Sequence, residues 1–280
     1  MLGQLLERVP FDPYKDFDPV TLAVTSPDMG QGAKAAPDGY TLLVAGTPIV
    51  INPTLYERVP FDPYKDFDPV TLAVTSPDML SVNPSLPVQS VKDLVALIKA
   101  HPGKYNFASP GTGTAAHLVG ELFRLSLGLD LVHIPFNSAG LAIGSTVAGH
   151  TPIAFTASPP VVPQVKEGKL RALAVASKTR LQALPDVPTM AEAGYPDIEG
   201  EVWLAVIVPA RTPKEIIALL HGEIVKTIAL PDMKERMATL GLRSGRQLAR
   251  RVCRILQDRS REMGKGHSRG GHQSAVRFTA

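Results

Sequence analysis

Tyr105-Asn106-Phe107-Ala108-Ser109-Pro110-Gly111-Thr112-Gly113-Thr114-Ala115-Ala116-His117 is the stretch that decides the fold. A short apolar run with strand character enters a turn of Pro, Gly and Thr, and a helical pattern follows over residues 114–128. The same unit then repeats with different residues. Strands are predicted at 131–134, 152–155 and 170–176, and helices near 141–148 and 161–167. This alternation predicts an α/β fold with a mostly parallel, doubly wound sheet.

Upstream, the turn signal Pro37-Asp38-Gly39 precedes a buried strand at 41–46, and further extended runs lie at 70–75 and 79–82. Ser90 is placed to cap a helix, with Asp93 at its third position and Val91, Leu94, Val95 and Ile98 on one face. Downstream, residues 180–200 read as loop and 202–208 as a strong strand. Thr212-Pro213-Lys214-Glu215 reads as a capping box with Pro at the first helical position. The helix it opens carries Ile216, Ile217, Leu220, Ile224 and Ile228, and a short helix is predicted at 232–240.

The chain has 280 residues, 44% apolar and 20% charged, which excludes a disordered chain and a coiled coil. Its one cysteine, Cys253, excludes an intrachain disulfide framework and a multi-cysteine zinc site. No apolar run approaches the ~20 residues that span a bilayer. Residues 1–8 lack both the basic and the apolar region of a secretory signal, so no signal peptide is expected in this chain. Residues 243–280 hold 10 Lys and Arg against 2 Asp and Glu, a local charge of +8 in a chain whose net charge is +3. The remainder is mildly acidic, so a nucleic-acid reading would rest on the tail alone.

Residues 7–29 and 57–79 are identical. Solenoid repeats recur several times and drift in sequence, whereas this pair is a single perfect copy. The second copy has the natural flanks and takes the native slot; residues 1–32 are assigned as a non-native duplicated segment. For the basic tail, 243–280, two readings stay open. One is a disordered tail. The other is a shifted reading frame, since permitted codons read one base later can spell an amphipathic helix.

The chemistry-bearing candidate is the loop Ser109, Gly111, Thr112, Gly113, Thr114 and His117. A strand-to-helix turn aims unpaired N–H groups at one point and suits a carboxylate or phosphate; the alternative is an ordinary Gly-rich turn. It matches neither a Walker A motif nor the dinucleotide fingerprint. His117 sits in the first helical turn, where the dipole favours a neutral imidazole. His101, His133, His150 and His221 have no metal-site spacing, and Glu192, Asp186 and Asp197 read as solvated. No catalytic set, cofactor or metal site is expected.

Several motifs together resemble the Bug family, the periplasmic solute receptors of tripartite tricarboxylate transporters. They are Ala35-Ala36-Pro37-Asp38-Gly39-Tyr40-Thr41-Leu42-Leu43, Ile51-Asn52-Pro53-Thr54-Leu55-Tyr56 and Phe61-Asp62-Pro63-Tyr64-Lys65-Asp66-Phe67. The Gly/Thr loop with His117-Leu118 follows, then His133-Ile134-Pro135-Phe136 and Gly168-Lys169-Leu170-Arg171-Ala172-Leu173-Ala174-Val175. The last is Leu184-Pro185-Asp186-Val187-Pro188-Thr189-Met190-Ala191-Glu192-Ala193-Gly194, so the resemblance covers about residues 33–242.

The resemblance implies a type II periplasmic-binding-protein-like fold, two doubly wound lobes with a hinge and a cleft between them. Lobe one would comprise 33–82 and 201–242, and lobe two 83–200. It implies a periplasmic monomer that binds a small carboxylate and passes it to membrane transporter subunits, without specific nucleic acid. By position, Gly46 and Thr47 would line the cleft from lobe one. The loop residues above, with Asn137 and Thr156, would line it from lobe two. The duplicated segment stands where the family has a first strand and glycine-rich loop. Lobe one is therefore expected to be incomplete, lobe two to fold alone, and tight binding to be weakened or lost. Two other classes stay open: a phosphate- or acyl-binding α/β enzyme, and the effector-binding domain of a transcriptional regulator.

Overall fold

The computed structural model describes residues 26–244; residues 1–25 of the duplicated segment and 245–280 of the tail lie outside them. The order is α1 (Ser26–Gly32), β1 (Leu43–Gly46), α2 (Pro48–Leu55), β2 (Phe67–Val82), α3 (Val91–Ala100), β3 (Tyr105–Ser109) and α4 (Ala115–Ser126). It continues with β4 (Leu131–Pro135), α5 (Ala139–Val147), β5 (Ile153–Ala157), α6 (Ser158–Lys166) and β6 (Arg171–Val175). Last come β7 (Glu201–Pro209), α7 (Lys214–Ile228), α8 (Pro231–Thr239) and β8 (Arg243–Ser244).

One strand carries the architecture. The two runs expected at 70–75 and 79–82 are a single strand, β2, of 16 residues. Its first part, residues 67–77, pairs with β7, and β8 joins at Val74 and Thr75. Its last part, residues 78–82, pairs with β5 on one side and β6 on the other. The sheet order is β1-β7-β2-β5-β3-β4, so β2 passes from the lobe built on β1 and β7 into the lobe built on β3 to β6. Two register shifts against β7, at Pro69/Thr71 and Leu72/Val74, bend it on the way.

The expected mostly parallel sheet is corrected by this strand. Only β3 pairs in parallel, with β4 and β5, whereas β2 is antiparallel to every partner and β1 is antiparallel to β7. The βα alternation reports connectivity. It cannot report a strand that enters a second sheet from the opposite direction.

Local signals fare unevenly. The Ser90 capping box forms as read: Ser90 Oγ accepts from Asp93 N at 3.1 Å and Asp93 Oδ2 accepts from Ser90 N at 3.0 Å. The Thr212 capping box does not. Pro213 holds the cap position of α7, and the Thr212 hydroxyl donates back to Pro209 O at 2.8 Å. Arg211 there has φ 75 and donates its N–H to Asp68 Oδ2, so the chain turns sharply just before the helix.

Lobe two packs a continuous core of Leu80, Leu94, Ile98, Phe107, Phe123, Phe155 and their neighbours. Phe107 and Phe155 meet edge to face at 5.6 Å. Lobe one has its own cluster on one sheet face, including Met29, Leu43, Ala45, Ile49, Phe61, Phe67 and Leu72. Met29 ends the first copy of the duplication, so α1, the end of the segment 1–32 expected to be non-native, packs into the core of lobe one.

Gly120 in α4 lets the helix lie directly on the sheet, because a methyl there would fall on the Phe107 ring. Gly120→Ala should therefore cost about 1–3 kcal/mol by overpacking, read as a lower urea midpoint at an unchanged slope.

Candidate functional site

The three parallel strands end at one edge of lobe two, and each feeds a helix. After β3 comes α4, capped by Thr114; after β4 comes α5, capped by Ser138, whose side chain accepts from Leu141 N. After β5 comes α6, whose own cap residue, Ala157, makes no side-chain bond. Ser76 in β2 supplies it instead: Ser158 N donates to Ser76 Oγ at 3.2 Å, and the two hydroxyls meet at 2.8 Å. Three helix N-termini thus converge on one sheet edge. Each adds positive potential and N–H groups that want an acceptor.

The β3–α4 loop is held by its own polar groups. Ser109 is fully buried; its Oγ accepts from Gly111 N at 3.2 Å and lies 2.7 Å from His133 Nε2. Thr114 Oγ1 donates to Gly111 O at 2.8 Å and accepts from His117 N at 3.3 Å. His117 Nδ1 accepts from Gly113 N at 3.3 Å. Gly111 (φ 129) and Gly113 (φ 83) occupy backbone conformations that a side chain would strain. A Cβ on Gly111 would also lie 3.2 Å from Phe136 O, which draws the loop bearing Asn137 close.

Of the loop N–H groups, those of Gly111, Gly113, Thr114 and His117 are spent internally. Thr112, Ala115 and Ala116 N–H have no partner among the described residues, and these are the unspent donors of the loop. Gly113 and His117 therefore shape the loop rather than offer donors.

The remaining sequence candidates are dispersed. Asn137 is exposed beside the loop. Thr156, in β5 opposite Met79, is fully buried and its hydroxyl has no partner among the described residues. Gly46 ends β1 in lobe one, and Thr47 Oγ1 accepts from Trp203 N at 3.4 Å. A pocket of about 130 Å³ adjoins them, lined by Ala45, Tyr64, Asp68 and Trp203 among others. A larger one, about 390 Å³, lies between α8 and residues 180–182 and holds none of the candidates. Among the described residues no group of three or more His, Cys, Asp or Glu is placed to hold a metal, and no helix is long and apolar enough to cross a membrane.

Sequence reading missed His133. Its ring stacks 4.3 Å from that of His117 and 4.9 Å from Phe107. Only strand pairing reveals this, since His133 lies opposite Phe107. Burial pushes the His133 imidazole down to about 4, with the neighbouring His117 ring adding to the effect and Glu121 opposing it. Burial also lowers His117, again against Glu121. Both rings are neutral at pH 7, which His117 Nδ1 needs in order to accept from Gly113.

Two expectations follow. Thr114→Ala should cost about 1 kcal/mol of stability through loss of the cap. Acidification should destabilise the chain across about pH 6.5 to 4. In that window the unfolded imidazoles take up protons that the folded ones refuse, and His133→Gln should flatten the urea-midpoint profile.

Comparison with known proteins places this arrangement. The model of the tripartite tricarboxylate transporter family receptor matches residues 20–266. Protein BugT of Bordetella pertussis is 36% identical over 211 residues, 75% of this chain and 65% of that protein. The UPF0065 protein in the tcbD-tcbE intergenic region of Pseudomonas sp. (strain P51) is also 36% identical, over 76% of this chain and 63% of its own length. The chain thus spans less than two thirds of either relative. Among solved structures, R. palustris Rpa4515 with adipate superposes with TM-score 0.77 at 27% identity, covering 86% of this chain and 82% of that one. MatC from Rhodopseudomonas palustris with bound malate gives 0.75 at 26% identity, over 86% and 83%. With the family model matching far more than half of its length, the chain belongs to the tripartite tricarboxylate transporter receptor family.

Proposed function

We propose that this chain is a periplasmic, non-catalytic receptor that captures a small carboxylate between its lobes and presents it to the membrane subunits of a tripartite transporter. The observation that carries the reading is the edge of lobe two, where three helices open side by side and α4 offers the Thr112, Ala115 and Ala116 N–H groups. A carboxylate there would accept from Ala115 and Ala116 N–H and from Thr112. Gly46 and Thr47 would close over it from lobe one, with Asn137 and Thr156 at the flanks. Ser109, Gly111, Gly113, Thr114 and His117 would hold the loop open for it. The adipate and malate of the two solved relatives are small dicarboxylates and support this ligand class.

The close Ser109–His133 pair does not favour an enzyme. Ser109 is fully buried and its oxygen already accepts the Gly111 N–H, so it is poorly placed to attack a substrate. Receptor action needs no such group, because ligand binding energy acts on the open–closed equilibrium.

The test is calorimetric titration with malate, adipate and a tricarboxylate. Saturable binding weaker than micromolar is expected, given the altered lobe one. Ala115→Pro removes one donor at the first helical position, where proline is tolerated and Thr114 already has extended backbone. It should weaken binding by about 10- to 100-fold, the worth of one hydrogen bond to a charged group, with an unchanged unfolding curve. No heat of binding and no change in unfolding midpoint with any of the three acids at millimolar concentration would sink the reading.

A further inference from the structure

Asp78 stands at the point where β2 leaves one sheet for the other. Pairing with β7 ends at Pro77↔Glu201, and pairing with β5 begins at Asp78↔Ala157. Its backbone is tied on both sides, Asp78 N donating to Gly200 O at 3.0 Å and Asp78 O accepting from Ala176 N at 2.8 Å. The side chain is fully buried, and neither carboxyl oxygen has a partner among the described residues. Gly200 leaves room for it: a Cβ there would sit 3.4 Å from Asp78 Oδ2 and would collide with Val119 of α4. The carboxyl is therefore enclosed by the crossing strand β2, by Gly200 just before β7 and by the helix that bears the Gly/Thr loop.

A bare carboxylate in that enclosure has lost its water without gaining a donor or a cation. The charged residue acting on it is Glu201, next to Gly200 on β7 and itself paired with Arg243 at 2.9 Å. Arg243 cannot turn to Asp78, because its other nitrogen donates to Thr179 O and Ser177 Oγ. Beyond Glu201 and Arg243, the surroundings supply Ser76 and Ser158, which are engaged with one another and with Gly241 O.

We propose that Asp78 is a positioning residue of the hinge that works as the neutral carboxylic acid, and that loss of its proton forces β2 and β7 apart at Pro77 and Glu201. Ionisation would set two carboxylates on the neighbouring strands β2 and β7 and draw water beneath α4. The orientation of the Gly/Thr loop relative to lobe one would then change with it. Burial, reinforced by Glu201, raises the Asp78 carboxyl well above its usual range. Stability from this site is thus full below about pH 4 and is lost as pH rises through the folded value. This is opposite in sign to the histidine effect, so Asp78→Asn and His133→Gln should change the pH profile of stability in opposite directions.

The molecule carries its own reporter. Trp203 is its one tryptophan, two residues from Glu201 and opposite Thr75 in the crossing. Its emission needs no ligand, so the test stands apart from the carboxylate-binding reading. The emission maximum of the full chain should shift to longer wavelength along a single titration as pH is raised from 5 to 9. Asp78→Asn should abolish that titration and raise the unfolding midpoint at the alkaline end. If Asp78→Asn does not fold, Glu201→Gln serves, moving the titration to lower pH because one cause of the raised value is gone. An emission profile flat in the parent chain, or one retained in Asp78→Asn, or one unmoved in Glu201→Gln, would overturn the proposal.

Discussion

The constraint on which the rest depends is the passage of β2 through both lobes. A strand buried along most of its length must satisfy its backbone groups on both edges wherever it goes. Within lobe one β7 pairs along residues 67–77 and β8 adds Val74 and Thr75 on the other edge, and within lobe two β5 and β6 flank it. The exchange of partners takes place at Pro77 and Asp78, with Gly200 and Glu201 opposite. Proline suits such a point, having no N–H to leave unpaired. Because the lobes share this strand, packing near residue 78 bears on both.

The candidate site follows from the same topology. With β5 beside the crossing strand and β3 and β4 parallel to it, three strand ends and three helix starts fall on one edge. Ser76 of β2 caps α6 across 82 residues of sequence, so the edge and the crossing are joined by a buried hydroxyl pair. The loop itself shows a division of labour. Ser109, Thr114, His117 and His133 are consumed in fixing its shape, while ordinary alanine and threonine amides are left without a partner among the described residues. As proposed, such a site would bind through backbone, which is why its residues are chemically ordinary in sequence.

Much of this was legible beforehand. Strand-helix alternation located β3 through β6 within a few residues, and the Ser90 capping box formed, because both depend on neighbours in the chain. The β3–α4 loop was legible for the same reason. Its internal accounting was not: the spent Gly113 N–H and the His117–His133 stack depend on β4 lying beside β3. The Thr212 box failed because Asp68, 143 residues away, accepts the Arg211 N–H and turns the chain just before the helix. The helix α2 passed unnoticed, since Pro53 inside it reads as a breaker.

The duplicated sequence gives the sharpest measure of the boundary between the two kinds of information. Ser-Pro-Asp-Met occurs at 26–29 and again at 76–79; the first is helical in α1 and the second is strand in β2. Met29 is buried in the core of lobe one and Met79 in that of lobe two. Sequence by itself determined the α/β class, the alternation from β3 to β6 and the place of the Gly/Thr strand-to-helix loop, since each is written in local periodicity and turn chemistry. The tertiary structure alone decided that one strand runs through both sheets, which direction each strand takes, and that a carboxyl with no partner among the described residues is enclosed at the crossing. Those outcomes depend on which distant strand offers hydrogen bonds and burial, and identical residues answer differently when different neighbours are offered.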